Sequence, residues 1–322
     1  MPKPVTAQKT LIIDCDPGQD DAVMLLLALA SPDEFHIAGI TTVAGNVPLA
    51  LTERNARIIC ELAGRTDVPV YAGCGRPMKR ELFTAENVHG KTGLVGIEIY
   101  QPHMPLQEQH AVDFIIDTLS NAKDESITLV PTGPLTNIAT AIERCPEILP
   151  KISEIVLMGG AMREGGNSTP SAEFNIFVDP DAAQIVMQCG RPLTIAGLDL
   201  THQVLVSANR LNAFRSLDSR VGDSIASMLD FFNRFDTEKY HSEGAPLHDP
   251  CTIAYLLKPE LFTGKLCNVE VETHSALTRG HTAVDFWGVS GKPKNANWLY
   301  QVDADGFFDL LRQSFKRYTD HV

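Results

Sequence analysis

No C-x-x-C pair occurs among the seven cysteines, Cys15, Cys60, Cys74, Cys145, Cys189, Cys251 and Cys267, which are scattered and odd in number. That spacing excludes a zinc knuckle and argues against a secreted disulfide framework, so reduced thiols in a cytoplasmic protein are expected. Positive charge is scarce as well: 27 Lys and Arg face 40 Asp and Glu, a formal net charge of −13. Polyphosphates need a basic surface, so neither a nucleic-acid polymer nor an anionic membrane is the expected partner. Long apolar runs are missing. The longest, Ala22–Ala30, has nine residues, about half of what crosses a bilayer. Met1–Thr10 is polar and offers no secretory apolar core. Neither G-x-x-x-x-G-K-[ST] nor G-x-G-x-x-G occurs, which leaves phosphate cradling unsupported. Repeats, low-complexity tracts and linker-like stretches are also lacking.

What is present is ordinary for a globular enzyme: 322 residues, 44% hydrophobic and 21% charged, enough to bury a sizeable core. Short β-branched runs alternate with helical patterns. Strands are expected at Leu11–Ile13, Ile37–Val43, Val68–Tyr71, Ile127–Val130, Ile155–Met158 and Leu193–Ala196. Helices are expected at Asp20–Ala30, Thr52–Ala63, Ala111–Leu119, Pro134–Glu143 and Ala182–Gln188, with Gly73–Lys91 as a loop. Strands apolar on both faces, separated by helices, predict an α/β fold: an open, mostly parallel, Rossmann-like sheet covered by helices on both faces. After Asp199 the rhythm changes to a polar helical region reaching Tyr240, a helix over His248–Leu257, two or three strands and a closing helix, Phe307–Tyr318. One domain over 1–322, with a C-terminal helical and β elaboration, accounts for this.

The densest chemistry is Asp14-Cys15-Asp16-Pro17-Gly18-Gln19-Asp20-Asp21, four carboxylates in eight residues. The strand period of two puts Asp14 and Asp16 on one face. Pro17-Gly18 turns the chain, and Asp20 and Asp21 open the next helix, where negative charge is favoured. The resulting oxygen-rich cup suits a hard divalent cation; the bland alternative is a helix cap with solvated acids. An EF-hand loop starting at Asp14 would need Glu where Leu25 stands, and a D-x-D-x-T phosphatase would need Thr at Gly18 or Asp20. Asn46, Thr132 and Asp199 follow predicted strands, so they converge on the crevice at the carboxyl end of the sheet. Taken alone, Asn167 and Asn175 read as turn residues more often than as ligands, and Asp249 could be an ordinary helix cap.

D-x-D-P-G-x-D-D-A at Asp14–Ala22 resembles the signature of the nucleoside hydrolases, as do ITTVAGN (Ile40–Asn46), LVPTGPLTN (Leu129–Asn137), VLMGG (Val156–Gly160), AEFN (Ala172–Asn175), GLDLTHQ (Gly197–Gln203) and LHDP (Leu247–Pro250). These segments stand in family order over residues 11 to 257 and are most similar to the inosine-uridine preferring and related ribonucleoside hydrolases. The resemblance implies the nucleoside hydrolase fold and a Ca2+-dependent hydrolase that cleaves the N-glycosidic bond of ribonucleosides, purine or pyrimidine, in nucleoside salvage. It implies Asp16, Asp21 and Asp249 as metal-binding carboxylates with the main-chain carbonyl of Thr132, and Asp20 as the base that takes a proton from the water held there. Asn46, Asn167, Glu173 and Asn175 resemble the groups that hold the ribose hydroxyls, with Met158 beside the sugar. His248 matches the residue proposed to protonate the leaving base, His89 and Tyr240 lie in the loops flanking the base, and Asp14 supports the site from behind the ligands. Family members are tetramers or sometimes dimers, so a homo-oligomer is expected. Gln19 at the variable signature position and Lys91 in place of an acid depart from the common pattern.

The chemistry agrees with these roles. Glycosidic cleavage through an oxocarbenium-like transition state builds positive charge on the sugar, which an acidic pocket stabilises. Two alternatives stand beside this reading. A non-catalytic nucleoside- or sugar-binding protein would have little need of Asp20. A metal-dependent phosphate-ester hydrolase would have to draw an anion into an acidic cup, with no Lys or Arg inside the matching motifs.

Overall fold

A computed structural model describes residues 8–240 and 242–318. Among these residues nine strands form one sheet: β1 (Lys9–Cys15), β2 (Phe35–Thr42), β3 (Val70–Ala72), β4 (Ile127–Pro131), β5 (Ile152–Met158), β6 (Leu193–Ala196), β7 (Phe262–Val271), β8 (Thr282–Asp285) and β9 (Ala296–Val302). Their order is β3-β2-β1-β4-β5-β6-β9-β7-β8. Neighbours from β3 through β9 run parallel, while β7 is antiparallel to β9 and to β8. The C-terminal strands therefore extend the same sheet. This is the expected mostly parallel α/β architecture with helices on both faces.

The strand period sorts the core. Leu11 and Ile13 of β1 pack with the helix Gln19–Leu29 and with residues of Arg220–Tyr240, Pro250–Leu257 and Ala304–Phe315 on one face. Ile12, between them, packs with Phe114, Ile138 and Val186 on the other. All eleven residues of Gln19–Leu29 are buried, since other helices cover the side turned away from the sheet. Three of its four leucines, Leu25 to Leu27, are fully buried, each worth roughly 1.5–3 kcal/mol of apolar transfer.

Element ends differ by a few residues from expectation. Pro250 starts the helix that was expected from His248, because proline suits the first helical turn and both preceding residues stay outside it. Within the expected loop 73–91 a single helical turn, Glu86–His89, forms. The polar region before Tyr240 resolves into Leu198–Thr201, Ala208–Arg215 and Arg220–Tyr240.

The sheet order reverses between β1 and β4, since β1 pairs with β2 on one side and β4 on the other. Asp14 stands opposite both Thr41 and Pro131 at this point. Crevices outside the carboxyl ends of strands at such a reversal are the usual ligand sites of open α/β sheets. The acid-rich segment leaves β1 there. No helix among the described residues is long and apolar enough to cross a membrane.

Candidate active site

A cleft of 590 Å³ opens over this reversal, within the range of small-molecule sites. Its floor holds Asp20, Asp249, Thr132 and Asn46. Met158, Asn167, Glu173 and Asn175 also line it, as do His89 and His248. The tertiary fold thus gathers residues separated by more than 200 positions. Tyr240 falls outside the residues whose side chains are described.

Asp20, Asp21 and Asp249 place carboxylate oxygens within 4.8 Å of one another, all buried. Asp249 precedes its helix in an αR conformation with no side-chain cap hydrogen bond, so its carboxylate faces the acids and does not cap the helix. Asp21 is held from three sides: Gly18 N donates to Oδ2 at 3.0 Å, Asn46 Nδ2 to Oδ2 at 3.1 Å and Thr132 Oγ1 to Oδ1 at 2.9 Å. Asp16 stands just outside the triplet. Its Oδ2 accepts from Asn46 N at 2.7 Å, and its Oδ1 is buried without a partner among the described residues. Two glycines make room for it: a Cβ on Gly45 would lie 2.0 Å from Asp16 Oδ2, and one on Gly133 would lie 2.7 Å from Oδ1. Asp14 points away from the cup, its Oδ1 accepting from Thr41 Oγ1 at 2.5 Å and Asn137 Nδ2 at 2.8 Å.

Burial pushes every one of these acids up: Asp14 and Asp20 to about 7, Asp21 to about 6, and Asp16 and Asp249 well above the usual carboxylate range. For Asp16, Asp20 and Asp249 the neighbouring carboxylates add to that. A buried set of acids without cationic side chains is unfavourable unless a positive charge joins it. Among the described residues no Lys or Arg lines the cleft, and Asp20 Oδ1, like Asp16 Oδ1, is buried without a partner there. These donors fit a hard divalent cation, which takes six to eight oxygens.

The wall residues have part of their bonding capacity committed. Asn46 Nδ2 binds Asp16 O and Asp21, and Asn175 Nδ2 binds Thr132 O at 2.7 Å and Met158 O at 3.2 Å. Both amide oxygens remain as acceptors in the cleft. Glu173 caps the short helix Phe174–Val178, accepting from Asn175 N at 3.0 Å and Ile176 N at 3.2 Å, and also takes Gly160 N at 2.9 Å. Asn167 Oδ1 accepts from Phe174 N, leaving its amide NH₂ to donate. His248 is half-buried with Nδ1 2.7 Å from Thr201 Oγ1, and burial followed by the nearby His202 and His89 keeps its pKa well below the usual imidazole range.

Asp199 is not in the crevice. Its carboxylate accepts from Met162 N and Arg163 N, both at 2.7 Å, and so anchors the loop that follows β5. The sequence reading missed Phe83, His202, Glu164 and Phe232, all of which line the cleft. His202 lies inside the GLDLTHQ segment and could have been singled out there. Phe232 sits on a helix among core positions, where periodicity alone cannot separate a cleft residue from a packed one.

The sequence matches the family of inosine-uridine preferring nucleoside hydrolases over residues 11–309. The chain belongs to this family of nucleoside N-glycosyl hydrolases. It is 46% identical to the pyrimidine-specific ribonucleoside hydrolase RihA of Shewanella woodyi, over 97% of this chain and 99% of that one. Among solved structures, the purine-preferring ribonucleoside hydrolase from Gardnerella vaginalis superposes with a TM-score of 0.89 at 36% identity, covering 97% of this chain and 100% of the other. The plant nucleoside hydrolase PpNRh1 also gives 0.89, at 32% identity over 96% and 99%.

Proposed function

We propose that the enzyme hydrolyses the N-glycosidic bond of ribonucleosides to ribose and free base with Ca2+ at the acidic cup, and that it prefers pyrimidine nucleosides. The observation that carries this reading is the convergence of buried Asp20, Asp21 and Asp249 at a cleft whose described lining has no Lys or Arg. Asp16, Asp21, Asp249 and the main-chain carbonyl of Thr132 would hold the ion. When bound, it supplies Lewis-acid activation of water and a fixed positive charge for oxygen donors.

The remaining steps belong to the chain's own residues. Asp20, beside those ligands, takes the proton of the attacking water. The acceptors Asn46 Oδ1, Asn175 Oδ1 and Glu173 receive ribose hydroxyls, Asn167 donates to one, and Met158 packs beside the sugar. Their net negative field favours the cationic sugar of an oxocarbenium-like transition state over the neutral ground state. It also disfavours phosphorylated substrates. We assign to His248, held by Thr201, the delivery of a proton to the leaving base, which requires the negative charge developing on that base to raise the depressed pKa of the ring, and to His89 a contact with the base. Since the C-terminal strands join the same sheet, we read the chain as one domain. The pyrimidine preference rests on the pyrimidine-specific RihA relatives, 46–47% identical against 36% for the purine-preferring structure.

The test is release of reducing sugar and free base from uridine, cytidine, inosine and adenosine, with and without a chelator. Base release that stops with chelator and returns with calcium is expected, with the highest kcat/KM on a pyrimidine nucleoside. Binding of nucleosides without release of base would overturn the catalytic reading.

A further inference from the structure

Gln19, at the variable position of the acid-rich segment, is fully buried at the first turn of its helix and reaches across 70 positions to His89. Its Nε2 lies 3.0 Å from the main-chain oxygen of His89, and its Oε1 lies 2.8 Å from His89 Nδ1. Donor chemistry leaves one arrangement. A carbonyl oxygen only accepts, so the amide NH₂ must face His89 O. That turns Oε1 toward Nδ1, and because an amide oxygen only accepts, Nδ1 must carry the hydrogen. One face of the imidazole packs on Phe232, with ring centroids 5.5 Å apart and an interplanar angle of 28°. Gly18 admits the ring: a Cβ there would lie 2.3 Å from Nδ1. The one polar atom of the ring left for the cleft is Nε2, which has no partner among the described residues.

We propose that Gln19 is a positioning residue that locks His89 in the tautomer protonated on Nδ1, so that Nε2 meets the bound base as a hydrogen-bond acceptor. This rests on the nucleoside hydrolase reading of the cleft and deepens it. The complementary ligand feature is an N–H donor, the imide or exocyclic amino group of a nucleobase, and a base carbonyl is refused at that position. Burial supports the neutral ring, holding His89 at about 4.

Two measurements test it. In wild-type enzyme labelled with 15N-histidine, the His89 resonances, assigned by their loss in His89→Gln, should show a protonated Nδ1 and a bare Nε2. In Gln19→Met, which keeps the length and removes both bonds, the two tautomers should mix. KM for uridine should then rise about tenfold, the worth of one misplaced hydrogen bond, with kcat changed by less than about threefold. A wild-type His89 protonated on Nε2 overturns the proposal even if the variant does not fold. So does a Gln19→Met enzyme with unchanged tautomer and KM. Failure of the functional reading looks different: the wild type then releases no base from uridine or inosine, whatever the tautomer.

Discussion

Asp16 is seated between two glycines, and replacing one of them tests whether that seat matters. In Gly45→Ala the added Cβ would lie 2.0 Å from Asp16 Oδ2, 2.9 Å from its Cγ and 2.8 Å from Pro134 Cδ. Ordinary contacts start near 3.4 Å, so the carboxylate or the loop must move by about 1 Å or more. Gly45 does not have positive φ, so alanine meets no backbone objection and the clash is the whole perturbation. The displaced oxygen is the one that accepts from Asn46 N at 2.7 Å, in the peptide joined to residue 45 itself, so carboxylate and donor cannot simply shift together. Overpacking of this kind costs about 1–3 kcal/mol, and weakening a charged hydrogen bond costs a comparable amount. A misplacement of about 1 Å at a reacting site costs on the order of 10²-fold in rate. Gly45→Ala should therefore lose roughly 10²-fold in kcat/KM for uridine, with a destabilisation of about 2–4 kcal/mol in denaturant unfolding. The control is Gly75→Ala, whose new Cβ would touch only Leu49 Cδ2 at 3.9 Å and should leave both quantities unchanged. Activity is read at a temperature where unfolding curves show the variant folded. Wild-type turnover in folded Gly45→Ala would refute the assignment of Asp16 to the site.

Asp21→Asn should abolish base release while leaving the fold intact, because the amide preserves size but removes charge from the cup; retained turnover would count against the metal-site reading. Deoxyuridine should be turned over at least 10²-fold less efficiently than uridine, since Asn46, Asn175 and Glu173 offer acceptors for hydroxyls that it lacks in part; comparable kcat/KM values would disprove the ribose contacts. His89 makes a signed pH prediction. Its pKa is held at about 4 when folded against about 6.5 when unfolded, so the unfolded chain binds more protons between those values. Its contribution is therefore fully present above about pH 6.5 and declines by about 3 kcal/mol as pH falls toward 4. Denaturant unfolding of His89→Gln should show a correspondingly flatter fall in stability across that window, and identical slopes would contradict the burial argument. Asn137→Ala should cost about 2–4 kcal/mol, because it strips hydrogen bonds from buried Asp14 and from Thr42 O and Cys74 N; calorimetry checks it.

The linear chain determined the sheet, its helical cover and the acid-rich turn, because each depends on local periodicity and on residue types a few positions apart. A short apolar run marked β1, and Pro17-Gly18 marked the turn that starts the buried helix Gln19–Leu29. The motifs, in family order, carried the chemistry of the cup. Tertiary structure decided what each polar group has left to offer. Asp249 reads as a helix cap in one dimension, and only the packing of its helix against Gln19–Leu29 turns it toward Asp20 and Asp21. Asp199 follows a strand as Asn46 and Thr132 do, yet two backbone N–H groups claim it for a loop. Gln19 stands out locally only as a departure from the signature, since the partner that gives it a role lies 70 residues away. Periodicity reports which face of an element is buried. Which atoms meet there is set by how separate elements pack, and hydrogen-bond capacity is spent only when they do.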